Sequence, residues 1–221
     1  MRGATVSLIS RLYAWTRPEV ALQQYRVFSA LSQGLLDYGF DDLTPVEFLD
    51  VGCGAGSLLR TLAEWGAEPS RLHGIDLLQD RIERAQALCP AIDYRQHSGW
   101  ELPYADESMD IVTAMTVFSS ILSPEARQAL ATEMERVARP GGMIVIFDFR
   151  VSSPRNPDTT GIGRGEVQRL FPDFTVKSRS LILAPPLQRP LAKLSPWLAL
   201  TLETFIPFLR THTFHFLRNS K

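Results

Sequence analysis

The apolar positions of this chain fall into two kinds of run, and their alternation predicts its elements. Short apolar runs between turn residues read as strands. Runs with an apolar residue every three or four positions read as helices. Residues 6–38 keep the helical spacing through Val20, Tyr25, Phe28, Leu31 and Leu35, with a break at Arg17–Pro18. A first strand is predicted over 46–51 and a helix over 57–65, stopped by Gly66. Then come a second strand over 71–76, a helix over 79–88 ending ahead of Pro90, and a short third strand over 91–96. Residues 109–118 are apolar on both faces, as in a buried parallel strand. Ser123 and Pro124 open a helix whose apolar face is Ala126, Leu130, Met134 and Val137, and Gly141–Gly142 are expected to stop it. A fifth strand over 143–149, a loop and a short helix ending near Leu170 come next. Residues 174–183 and 211–218 alternate as two late strands.

Five strands alternating with helices predict an α/β fold, a doubly wound and mostly parallel seven-stranded sheet of Rossmann-like type. The segments expected are an N-terminal helical cap over 1–40, a core over 41–184, an apolar helical insert over 185–209 and a last core strand over 210–221. Right-handed crossovers would collect the carboxyl ends of the strands on one edge, where such sheets bind ligands.

The first strand runs into "LDVGCGAGSLL", with Gly52, Gly54 and Gly56 at alternating positions before a helix. Glycine there lets backbone approach a ligand, and a strand–glycine turn–helix junction is a nucleotide-site geometry. Two ligand classes fit: a nicotinamide or flavin dinucleotide, and S-adenosylmethionine. The dinucleotide fingerprint is G-x-G-x-x-G. Here the third glycine comes one residue early, and Asp50 lies two residues before the first. Asp76 ends the second strand, where an acid accepts hydrogen bonds from ribose hydroxyls in either class.

The stretch "HSGWELPYADESMDIV", residues 97–112, separates the two. It carries an L-P-aromatic step and then D-x-S-x-D ahead of the fourth strand. With Asp50 and "RVARPGGMIVIFDF", it resembles the class I S-adenosylmethionine-dependent methyltransferases, nearest the small type 11 group that includes quinone-biosynthesis enzymes. The resemblance covers about residues 46–150 and is specific as a set. It implies S-adenosylmethionine as cofactor and S-adenosylhomocysteine as product. It implies that Gly52, Gly54 and Gly56 cradle the methionine and ribose portions, with Cys53 between them. Asp50 would face the methionine amino group, Asp76 the ribose hydroxyls, and Leu77 the adenine. Ser98, Gly99 and Trp100 occupy the loop where the family usually places an acid against the adenine amino group; Ser98 stands at that position. Thr116 and Val117 would lie near the transferred methyl.

Methyl transfer from a sulfonium is an in-line displacement, so the protein mainly aligns donor and acceptor. A hydroxyl acceptor also needs a base within hydrogen-bond reach. Asp148, at the end of the fifth strand, is the first candidate. His212 is the second; His212 and His215 fall on opposite faces of the last strand, so at most one points at a given site. Arg150, Arg155 and Asn156 follow Asp148 and suit an anionic acceptor group. No Asp/Glu/His cluster suggests a metal.

A net charge of −1 provides no general field for nucleic acid. The two cysteines, Cys53 and Cys89, lack metal spacing and read as small buried hydrophobes in a reduced, cytoplasmic chain. The start of the chain does not read as a signal peptide. Lys193, Pro196, Glu203 and Pro207 interrupt the tract 191–209, so it reads as no membrane span. Four readings of this insert stand side by side: a lid over a greasy acceptor, a dimer contact, a membrane-surface element flanked by Arg189, Lys193 and Arg210, and an extra packing layer. The expected activity is O-methylation of a small-molecule or lipid-linked acceptor in secondary metabolite, quinone or glycan biosynthesis, by a monomer or homodimer that is cytoplasmic or peripheral to a membrane. The alternatives are a methyltransferase acting on RNA or protein, a catalytically silent S-adenosylmethionine-binding protein and a dinucleotide oxidoreductase.

Overall fold

The computed structural model describes residues 16–152 and 157–219. They form two compact units, one of residues 35–152, 157–179 and 213–219 and one of residues 16–34 with 180–212. Among the described residues there are seven strands in one sheet: β1 (Phe48–Val51), β2 (Leu72–Asp76), β3 (Asp93–Gln96), β4 (Met109–Met115), β5 (Ala138–Phe149), β6 (Phe174–Leu183) and β7 (Arg210–Asn219), in the order β3-β2-β1-β4-β5-β7-β6. β1 pairs in parallel with β2 and β4, β2 with β3, and β4 with β5. The chain steps outward from β1 to β3 and then returns to the other side of β1. The carboxyl ends of β1 and β4 therefore flank the point where the winding reverses, the crevice in which open α/β sheets hold ligands.

In the larger unit, α2 (Ser57–Glu64), α3 (Gln79–Leu88), α4 (Pro124–Val137) and α5 (Arg164–Leu170) connect the strands. All four residues of β1 are buried, which is why its sequence does not alternate. α4 begins as its sequence predicts: the Ser123 hydroxyl accepts the Ala126 N–H at 3.2 Å, with Pro124 in the first turn. Leu130, Ala131, Met134 and Val137 then join Leu49, Val112 and Ile144 in the core.

The boundaries that depart furthest from expectation lie around β4 and β5. α4 stops at Val137, ahead of the glycine pair, because Pro140 holds Arg139 away from helical backbone. β5 consequently starts at Ala138, and its register to β4 shifts between Met109 and Ile111. β4 ends at Met115 rather than Phe118, because Thr116 turns to φ 58° and a 3₁₀ turn follows at Phe118–Ser120.

The D-x-S-x-D segment works as a clamp on the loop before β4. Arg136 pairs with Asp106 at 2.7 Å and Glu133 at 2.7 Å, and donates to the carbonyls of Leu102 and Tyr104. Ser108 donates to the Ala105 carbonyl, and Asp110 binds Arg139 at 2.6 Å and the Glu47 N–H at 2.8 Å.

In the smaller unit, α1 (Pro18–Asp37, which runs three residues past it), α6 (Pro185–Leu194) and α7 (Pro196–Phe205) pack through Leu22, Ala192 and Ala199. The insert is thus two helices joined at Ser195, whose hydroxyl caps α7 by accepting the Leu198 N–H. Glu203 is buried and bound by Arg26 at 2.8 Å. Among the described residues, no helix is long and apolar enough to cross a membrane.

Candidate functional site

The glycine turn is built as its spacing predicts. Gly52, Gly54 and Gly56 take φ of 72°, 57° and 73°, which side chains rarely adopt. At Gly52 space is short as well: a β-carbon would stand 2.5 Å from Val117 Cγ2. Gly56 opens α2 in left-handed conformation, and a β-carbon there would run into the Tyr94 ring.

Asp76 ties this turn to the neighbouring strand. One carboxylate oxygen accepts the Gly54 N–H at 2.9 Å and the other accepts the Leu78 N–H at 2.9 Å. Arg81 lies 3.6 Å away. Cys53 completes the seam, donating its N–H to the Ile75 carbonyl at 2.9 Å. Burial holds the Cys53 thiol well above its usual range, so it stays protonated and inert.

A cleft of about 430 Å³ opens at this edge, within the size range of small-molecule sites. Gly52, Asp76, Leu77, Ser98 and Gly99 line one part of it, with His97 and Arg81. Thr116, Val117, Met115, Ser120, Ile121 and Leu130 line another. Thr116 is a β-branched residue at positive φ, held there by its N–H to the Phe147 carbonyl at 2.7 Å and its hydroxyl to the Met115 carbonyl at 2.7 Å. Such strain persists only where the surroundings over-determine it, and here it sits on a cleft wall. Arg127 fixes the Ile121 end of this lining by donating to the Ile121 carbonyl at 2.7 Å while pairing with Glu166.

Asp50 is buried at the base of the turn and accepts the Thr113 hydroxyl at 2.6 Å. Burial pushes its carboxyl up to about 7; the Thr113 bond opposes this and the nearby Asp76 adds to it. It therefore titrates near neutral pH. His97 Nδ1 accepts the Gly99 N–H at 3.1 Å, so a neutral ring carries its proton on Nε2.

The structure gathers Gly52, Asp76, Leu77, Ser98, Gly99, Thr116 and Val117 around the cleft. It sets Asp50, Cys53, Gly54 and Gly56 in the supporting turn, outside the lining. Trp100 points outward at 59% exposure and is also outside the lining. Arg81, Ser120, Ile121 and Leu130 were missed. Arg81 and Leu130 show only as polar or apolar positions on helices, and nothing in the local pattern marks them.

Asp148, the first base candidate, lies outside the cleft lining. It is fully buried, and its oxygens accept the Ser119 N–H at 2.9 Å and the Phe149 N–H at 2.8 Å. Burial raises its pKa. Its evident role is to hold the 3₁₀ turn beside the cleft. Arg150 is half-buried and outside the cleft lining. Arg155 and Asn156 lie outside the described residues. His212 belongs to the smaller unit, where it is buried beside the Thr211 hydroxyl at 2.9 Å, and desolvation lowers its pKa to about 4. No cluster of potential metal ligands occurs among the described residues.

A family model described as a methyltransferase domain matches residues 48–142, from β1 into β5. The chain is 34% identical over 132 residues to a demethylmenaquinone methyltransferase of Lactobacillus johnsonii, covering 57% of this chain and 52% of that protein. It is 32% identical over 112 residues to the tRNA N(3)-cytidine methyltransferase METTL2 of Gallus gallus, covering 46% and 30%. The matches thus span about half or less of these relatives. A crystal structure of a SAM-dependent methyltransferase from Archaeoglobus fulgidus superposes with TM-score 0.66 at 15% identity, covering 96% of this chain and 99% of that one, a likeness of fold. The sheet order, the glycine turn and the domain match agree: over residues 48–142 the chain is similar to a methyltransferase domain, and it shares the fold of S-adenosylmethionine-dependent methyltransferases.

Proposed function

We propose that this protein moves the methyl group of S-adenosylmethionine to a small or lipid-linked acceptor, by O-methylation in secondary metabolite, quinone or glycan biosynthesis. The observation that carries the reading is the coupling of Asp76 to the Gly54 N–H where the glycine turn meets the cleft. The residues fit the cofactor: a β-carbon at Gly52 would fill the cradle, and an acid stands at the ribose position.

When bound, the cofactor supplies an activated methyl group on a sulfonium. The chain's own residues bind and orient. The turn from Gly52 to Gly56 offers backbone at close range. Asp76 retains acceptor capacity for ribose hydroxyls, since each carboxylate oxygen has two lone-pair sites. Leu77, Leu78 and Ile75 provide apolar surface for the adenine, and Ser98 with the His97 ring offers polar groups at its edge. Asp50, at the base of the turn, supplies negative charge toward the methionine amino group. Thr116 and Val117, ending β4, shape the wall nearest the reacting carbon.

Asp76 and His97 are the acid–base groups in the described lining. This favours an acceptor whose hydroxyl ionises readily, such as an acidic phenol or enol, which needs little help from a base. The match to a demethylmenaquinone methyltransferase supports a quinone-like ring as the acceptor. The match to a tRNA methyltransferase supports RNA as a second reading, opposed by the net charge of −1.

The test is transfer from methyl-labelled S-adenosylmethionine into fractionated host extract. Label in organic-soluble small molecules supports the reading. Label in RNA or protein replaces the acceptor class, and binding without transfer to any fraction makes the protein a silent binder.

A further inference from the structure

α7 wears its large apolar residues on the outside. Trp197 and Phe205 are 78% exposed, Leu194 just before the helix is 79% exposed, and Phe208 just after it is 75% exposed. Within α7, Trp197, Thr201, Thr204 and Phe205 recur at the spacing that places them on one stripe, and Phe208 follows in the 3₁₀ turn after it. The opposite side carries Ala199 and Glu203, both about 1% exposed. An outward aromatic stripe on a helix whose inward face is already packed marks an interaction surface.

Charge and hydrogen bonding narrow the partner. Glu203 is the one acid in residues 184–210, and it is buried against Arg26. The exposed charges of α6 are Arg189 and Lys193, both cationic. The two threonines on the stripe are satisfied internally. Thr201 donates to the Trp197 carbonyl at 2.8 Å and Thr204 to the Leu200 carbonyl at 2.9 Å, so entering an apolar phase strands neither hydroxyl. A second copy would bring the same cations against itself, whereas an anionic surface complements them. Aromatic rings on one short helix, with arginine and lysine on the short helix before it, are the composition of an element lying in a bilayer interface.

We propose that the exposed face of α7 that carries Trp197 and Phe205, together with the exposed Leu194 and Phe208 that flank the helix and the Arg189 and Lys193 of α6, docks on the surface of an anionic phospholipid bilayer. The proposal stands whichever acceptor is methylated.

The test is co-sedimentation of the full chain with vesicles of phosphatidylcholine alone and of phosphatidylcholine mixed with phosphatidylglycerol. Preferential partition onto the mixed vesicles, weakened by salt, is expected. Arg189→Gln and Lys193→Gln should each lower it about fivefold. A Trp197→Ala, Phe205→Ala, Phe208→Ala variant, altered only at exposed positions and checked for an unchanged melting curve, should lower it more than about tenfold. No partition of the parent chain onto mixed vesicles, or partition indifferent to the aromatic substitutions, overturns the proposal. A dimer in sedimentation that the aromatic variant converts to monomer, with no vesicle binding, makes the face a contact between copies instead.

Discussion

The backbone N–H of Gly54 donates to a carboxylate oxygen of Asp76 at 2.9 Å, joining the glycine turn after β1 to the end of β2. One side chain thus shapes the cradle and presents an acid to the cleft. Asp76→Ala removes both functions. Affinity for S-adenosylhomocysteine, measured by calorimetry, should fall roughly 10- to 100-fold, as expected for losing hydrogen bonds to a charged group. Unchanged affinity would remove Asp76 from the site.

Gly52 combines positive φ with a missing β-carbon beside Val117. Gly52→Val should abolish cofactor binding while leaving the far-UV spectrum intact. Gly52→Ala should bind weakly, and adding Val117→Ala should recover part of the loss by relieving the contact but not the backbone strain. Equal affinity in all three variants would mean the turn does not approach the ligand.

These two sites also show how far the sequence could be read. The order of strands and helices, the glycine turn and Asp76 were legible because apolar periodicity and glycine spacing are local signals. Thr116 was placed near the cleft, but its left-handed conformation was not foreseen, because a β-branched residue at positive φ is imposed by tertiary contacts. Asp148 looked like a base because it ends a strand on the ligand edge. Its carboxylate in fact turns to backbone N–H groups of Ser119 and Phe149. Strand position fixes where a residue lies, whereas its partners depend on the neighbouring loop. Leu130 and Ile121 reach the cleft from α4 and the loop before it, an approach that no one-dimensional pattern encodes.

Asp148→Ala tests that reassignment. Two backbone donors lose a buried acceptor, so the denaturation midpoint should correspond to a loss of about 1–3 kcal/mol. The pH profile of any residual methyl transfer should keep the parent shape. A flattened alkaline or acid limb at unchanged stability would restore Asp148 as a base.

The stability of the chain should carry opposing proton linkages. Desolvation lowers His212 and His215 to about 4, below the unfolded value of 6.5, so the unfolded chain binds more protons between those limits and stability rises with pH there. Asp50 is raised from 3.8 to about 7, so the folded chain binds the extra proton and its contribution, fully present below the unfolded value, is lost as pH rises through about 7. Two rising slopes and one falling slope leave these three groups with a net gain in stability from about pH 4 to 6.5, then a decline toward 7. Urea denaturation across this range should show Asp50→Asn steepening the rise and removing the decline. His212→Asn with His215→Asn should reverse the rise.

Cofactor recognition is the central claim, and calorimetric titration of the parent chain with S-adenosylhomocysteine and, separately, NADH tests it most directly. The account predicts one saturable site for S-adenosylhomocysteine per chain and no heat of binding with NADH. Binding of NADH, or a flat titration with S-adenosylhomocysteine, would contradict it.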